Sequence, residues 1–136
     1  MQDRPTYSEL IEAVRHFLAV DVMPVLDGPK KFHARVAANV LAVVQRELQA
    51  ERAQFQAEWQ RLGALLGRTE AAPADRDSLV RGLRAGTEEL CERIRRGDAD
   101  AGPWRQAVVA HVRQTVTEKL VVTNPTMLGM AEASAS

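Results

Sequence analysis

The chain has 136 residues, 46% of them hydrophobic and 26% charged, with 18 basic side chains balanced by 18 acidic ones. A length of this order predicts one domain with one core, and a neutral chain without a basic stripe speaks against nucleic acid as a partner. A single cysteine, Cys91, excludes a disulfide within these residues and fits a reducing cytosol.

Aromatic residues make up 4% of the chain, so the core must be built from Leu, Val, Ile and Ala. No apolar run approaches the roughly 18 residues of a membrane span. No basic segment leading into an apolar one opens the chain, so a secretion signal is not expected either. The expected setting is cytoplasmic, with no membrane partner.

In chain order, Thr6 and Glu9 have the spacing of a capping box, and Leu10, Ile11, Val14, Phe17 and Leu18 follow at helical spacing. The first helix is expected over residues 7–23, ended by Pro24 and the Gly28-Pro29 pair. A second helix begins at Lys30. No Pro or Gly occurs between Lys30 and Arg61, so one very long helix is permitted. A change of phase in the apolar stripe nevertheless favours a break near Ala50–Ala53. The third helix then carries Phe55, Trp59, Leu62 and Leu66. "GRTEAAPAD" reads as a loop. Asp75 is placed to cap a fourth helix with the stripe Leu79, Leu83, Leu90 and Ile94. Arg93, Arg95 and Arg96 complement its C-terminal dipole, and Gly97 stops it. "DADAGP" is a second loop. The fifth helix carries Trp104, Val108, Val112, Val116 and Leu120, and Asn124-Pro125 ends it. "KLVVT" could be read as a strand, but it would have nothing to pair with. The fold class is therefore all-α: a single-domain antiparallel bundle of about five helices over residues 1–125, with a flexible tail over 126–136.

Catalytic spacing is hard to find. His16, His33 and His111 are far apart in sequence, and the Glu-x-x-His pattern of di-iron bundles is absent. Glu12 and His16 have the spacing of an exposed helix pair. "DADAG" copies the start of a calcium loop, but Val109 stands where that loop needs Glu. No Gly-rich phosphate loop occurs, and Cys91 reads as a small, partly buried residue. No metal, cofactor or catalytic group is expected.

The stretch "KKFHARVAANVLAVV" carries more information. At about 100° per residue, Phe32, Val36, Val40, Val43, Val44 and Leu48 form one broad apolar arc. His33 and Glu47 fall inside that arc, and Arg35, Asn39 and Arg46 line one edge of it. Fourteen residues at a rise of about 1.5 Å set His33 and Glu47 roughly 21 Å apart, so they cannot pair along their own helix. One reading buries the arc, with His33 a neutral core residue and Glu47 half of an internal ion pair. The other places the helix at a protein–protein contact, where Arg35 and Asn39 make directional bonds. Direct catalysis by His33 is a third.

Three segments, "RPTYSELIEAVRHFL", "FHARVAANVLAVVQRE" and "EKLVVTNP", together resemble a family of small helical bacterial proteins, the domain of unknown function DUF6285. The pattern F-H-x-R-V-A-x-N-x-L is the most specific part. Members of that family are typically encoded beside aminoglycoside-phosphotransferase-like kinases and acyl-CoA dehydrogenases. The resemblance implies a non-catalytic accessory subunit of such a kinase acting on hydroxyacyl-CoA thioesters, with an acyl-CoA dehydrogenase as a further candidate partner. The motif directs attention to Phe32, His33, Arg35, Asn39, Glu47, Lys119, Asn124 and Pro125, and the edge stripe adds Arg46. An acyl-CoA binder or enzyme using His33 and Arg35, and a structural homo-oligomer, are the alternatives.

Overall fold

The computed structural model describes residues 4–130, and every regular element among them is helical. Four α-helices are present: α1 (Tyr7–His16), α2 (Gly28–Leu66), α3 (Arg76–Arg95) and α4 (Pro103–Thr123). A π-helical segment, Phe17–Val22, and a 3-10 turn, Met23–Val25, follow α1, and a second 3-10 turn, Pro125–Leu128, follows α4. The "KLVVT" stretch lies in α4. Residues 131–136 of the expected tail lie outside the described residues.

The start signals act as expected. The Glu9 N–H donates to Thr6 Oγ1 at 3.3 Å, and the Thr6 N–H donates to Glu9 Oε2 at 2.7 Å, closing the capping box. The Ser78 N–H donates to Asp75 Oδ1 at 2.8 Å, so Asp75 caps α3. The Asn124 N–H bonds back to the Leu120 carbonyl, and Pro125 opens the following turn.

Two expectations are corrected. The first helix changes pitch at Phe17 instead of running regularly to Met23. The break expected at Ala50–Ala53 is absent, and α2 runs unbroken for 39 residues. That count makes four α-helices of the five expected. The phase shift has another cause. The chain divides into two compact units, one of residues up to Gln49 with those from Gly129 on, the other Ala50–Leu128. The apolar stripe changes phase where α2 passes from unit 1 to unit 2, because each half of the helix has its own neighbours. Nothing in residues 50–53 removes a backbone donor, so the helix itself continues.

Unit 2 holds a conventional core. Leu62 of α2, Leu79, Leu83 and Leu90 of α3, and Val108 of α4 are buried together, flanked by Phe55, Trp59, Leu66 and Trp104. Burial of each such aliphatic side chain contributes about 1.5–3 kcal/mol. α3 approaches α2 through two glycines one turn apart. A Cβ on Gly82 would meet Trp59 Cζ3 at 2.5 Å, and one on Gly86 would meet Leu62 Cδ2 at 2.8 Å. Trp59 is held in place by its indole N–H, which donates to the Glu70 carbonyl at 2.8 Å. The Trp104 indole N–H donates to the Leu65 carbonyl at 3.1 Å, and the Arg93 guanidinium lies 4.3 Å from the centre of the Trp104 ring.

Unit 1 is built the other way round. Polar side chains join α1 to α2. The side-chain amides of Gln45 and Gln49 both donate to Ser8 Oγ, at 3.3 and 3.4 Å. Ala34 is buried, with Ala38 and Ala42 half-buried at successive turns of the same face. Glu12 pairs with Arg15 through bonds of 3.0 and 2.6 Å, in place of the expected His16 partner. That bond to Arg15 holds the Glu12 carboxyl below its ordinary range.

Candidate interaction surface

Many of the bulky apolar residues of unit 1 are exposed, while Ile11, Leu18, Leu41 and Val43 are half-buried. On α2, Phe32, Val36, Val40, Val44 and Leu48 are 61%, 44%, 53%, 40% and 44% exposed. They recur every four residues, so they form one continuous ridge. Tyr7, Leu10 and Val14 on α1, and Phe17 at the start of the π-helical segment, are each more than half exposed. Among the described residues of unit 1 the only buried hydrophobic side chain is that of Ala34. Isolated exposed apolar residues are ordinary, but contiguous ridges of this kind mark contact surfaces.

This corrects the reading of the arc as core. His33 and Glu47 are both exposed, so neither is a buried polar group in need of an internal partner. His33 lies against the Phe32 ring, with centroids 5.9 Å apart. The bonds from Gln45 and Gln49 to Ser8 place α1 on the opposite side of α2 from Val40, which is why the arc points away. Arg35 and Asn39 are exposed along one edge of the ridge and make no hydrogen bond or ion pair with any described residue. Arg46, on the same edge, is half-buried.

Phe32, His33, Arg35, Asn39, Arg46 and Glu47 thus share one helix of unit 1. The remaining three motif residues belong to unit 2. Lys119 is exposed on α4. Asn124 holds the terminal turn together: its Oδ1 accepts from the Thr126 hydroxyl at 2.6 Å, and its carbonyl accepts from the Met127 N–H at 3.1 Å. Pro125 is buried. These contacts explain Asn124 and Pro125 by local folding.

Unit 2 contains a polar cluster that helical spacing did not reveal. Arg61 of α2 forms a two-pronged pair with Glu118 of α4, Nη1 to Oε1 at 3.0 Å and Nη2 to Oε2 at 2.6 Å. The two residues are 57 positions apart in sequence. Gln114 donates to the same carboxylate at 3.0 Å, and the Gln54 amide donates to the Glu118 carbonyl. His111 is buried on α4. Burial, and then the charge of Arg61, push its imidazole below the ordinary histidine value, against the opposing pull of Glu58 and Glu118. Arg61 Nε, His111 Nδ1 and Thr115 Oγ1 are buried without a hydrogen-bond partner among the described residues.

Other features have structural explanations. Asp98 accepts bonds from Arg93 and Arg96 at 3.2 and 3.4 Å, so the "DADAG" loop closes the end of α3. Cys91 is half-buried. Among the described residues no group of three His, Cys, Asp or Glu side chains is placed to hold a metal ion, and no helix is long and apolar enough to cross a membrane. Two open concavities, one lined by Asp100–Arg113 residues of unit 2 and one between Ser8, Phe17 and Gln45 of unit 1, include neither His33 nor Arg35.

The described residues of unit 1 thus form a helical segment with an exposed apolar ridge on α2, and Arg35 and Asn39 stand exposed along its edge. The chain belongs to the family described as Domain of unknown function (DUF6285), which matches residues 24–127. The match takes in α2, α3 and α4 with every motif residue from Phe32 to Pro125, and starts after α1. No curated protein and no solved structure matches the chain.

Proposed function

We propose that this protein is a non-catalytic accessory subunit of an aminoglycoside-phosphotransferase-like kinase that acts on hydroxyacyl-CoA thioesters in a bacterial cytoplasm. On this reading the helices pack as an antiparallel bundle, and the kinase is gripped by the edge of α2, where Arg35 and Asn39 supply directional bonds beside an apolar ridge. An acyl-CoA dehydrogenase is the second candidate partner. The observation that carries the reading is the exposure of Arg35 and Asn39, both without a bond to any described residue. Arginine beside apolar surface is a characteristic anchor of protein interfaces. The kinase class comes from the family resemblance.

The test is co-expression with the kinase encoded beside this protein, followed by size-exclusion chromatography and a phosphotransfer assay. Co-elution with raised kinase activity supports the reading. Separate elution at micromolar concentration with unchanged activity rejects it.

A further inference from the structure

We propose that two copies of this chain associate through the outward ridge of α2, antiparallel, with Val40 of one protomer against the partner's Val40. The inference does not rest on the kinase reading.

The first reason is the symmetry of the ridge. Val36 and Val44 lie four residues to either side of Val40, and Phe32 and Leu48 lie eight to either side. With the helices nearly antiparallel, a two-fold axis at Val40 sets Val40 against the partner's Val40 and Val36 beside the partner's Val44, with Phe32 and Leu48, each about 80° round the helix from Val40, on the flanks of the contact. Such self-complementarity is what an isologous contact requires.

The second reason is charge. His33 and Glu47 stand seven residues before and seven after Val40. Seven residues bring a helix round to within about 20° of its starting direction, so both side chains stand on the crest of the ridge. They lie about 10 Å to either side of Val40 along the axis. The antiparallel two-fold brings His33 of each protomer to the partner's Glu47, giving two equivalent cation–carboxylate contacts whenever the imidazole is protonated and a hydrogen bond when it is not. A parallel pairing would set His33 against His33 and Glu47 against Glu47. This explains why a ridge otherwise fit for burial carries one acidic and one basic group, each without a polar partner among the described residues.

Geometry leaves the ridge accessible. α1 sits on the far side of α2, where Gln45 and Gln49 bond to Ser8. Arg35 and Asn39 lie about 100–140° round the helix from Val40, off the dimer seam, so the kinase-binding edge stays open in the dimer. The ridge is about 25 Å long and buries roughly 500 Å² per protomer, at the small end of specific interfaces. The dimer is accordingly a weak, reversible one.

The experiment uses the full chain. Sedimentation equilibrium across micromolar to near-millimolar concentration should show a monomer–dimer equilibrium; a monomer throughout overturns the proposal. Glu47→Lys should raise the dissociation constant about tenfold or more, and the double variant His33→Glu with Glu47→Lys should restore it. Register is read by cysteine cross-linking in a Cys91→Ser background. Val40→Cys should form a disulfide-linked dimer under mild oxidation, much faster than Ala64→Cys, an exposed position of unit 2. Val36→Cys should link when mixed with Val44→Cys. Equal rates at 40 and 64, or a Glu47→Lys variant that dimerises like the parent, refute this register. All these positions other than Cys91 are exposed, and circular dichroism verifies that each variant keeps its helix content.

Discussion

Gly82→Ala is the sharpest probe of the unit 2 core. The added methyl would lie 2.5 Å from Trp59 Cζ3 and 3.0 Å from Cη2, well inside van der Waals contact. The indole cannot retreat cheaply, because its N–H is tied to the Glu70 carbonyl at 2.8 Å. Overpacking of this kind costs up to about 3 kcal/mol. Replacing glycine by alanine inside a helix returns about 1 kcal/mol. The net loss is then up to about 2 kcal/mol, or up to roughly 5–10 °C in Tm for a chain of this size. Far-UV circular dichroism during thermal and urea unfolding measures it. Trp59→Phe removes the benzo ring that the methyl strikes, so Gly82→Ala should cost at least about 1 kcal/mol less in that background. A Gly82→Ala protein as stable as the parent, or a cost unchanged by Trp59→Phe, would refute the close approach of α3 to α2.

Three further outcomes are expected. Glu118→Ala strands the half-buried Arg61 guanidinium and should cost about 1–3 kcal/mol in urea unfolding, while Arg61→Met with Glu118→Leu should recover most of that loss. His111 titrates below the ordinary value of 6.5 when folded, so as pH falls the unfolded chain takes up this proton first; stability from this group is whole above pH 6.5 and drains away below it until the folded value is passed. His111→Leu should flatten the stability profile just below pH 6.5, whereas the loss below the usual 4.5 of Glu12 and Glu51, both held down by arginines, should persist. Arg35→Ala with Asn39→Ala should leave the melting temperature within about 1 °C of the parent, as expected of exposed unpaired side chains, yet abolish co-elution with the kinase.

Much of the local structure was legible in the residues. Thr6 with Glu9, Asp75, Gly97 and Asn124-Pro125 mark helix ends because their side chains or backbones meet needs that arise within a few positions. The α3 stripe of Leu79, Leu83 and Leu90 is buried as its spacing implies. What the residues do not state is which neighbour covers a stripe. The α2 arc from Phe32 to Leu48 has the periodicity of a core face and yet is largely exposed, while Gln45 and Gln49 on the other side bond to Ser8 of α1. The Arg61–Glu118 pair and the burial of His111 were likewise invisible, since they depend on two helices 57 positions apart coming together. Gly82 and Gly86 carried a readable signal, two glycines four apart inside an otherwise strong helix, which marks close helix approach.

Trp59 and Trp104 are both packed against the core of unit 2, and unit 1 has Tyr7 as its largest chromophore among the described residues. Intrinsic tryptophan emission therefore reports on one half of the molecule. A fluorescence titration would follow the melting of residues 50–128 and stay nearly silent while α1 parted from α2. Two-state behaviour in emission would thus say little about the half that carries Arg35, Asn39 and Val40. A tryptophan placed at Phe17 would give that half a signal of its own.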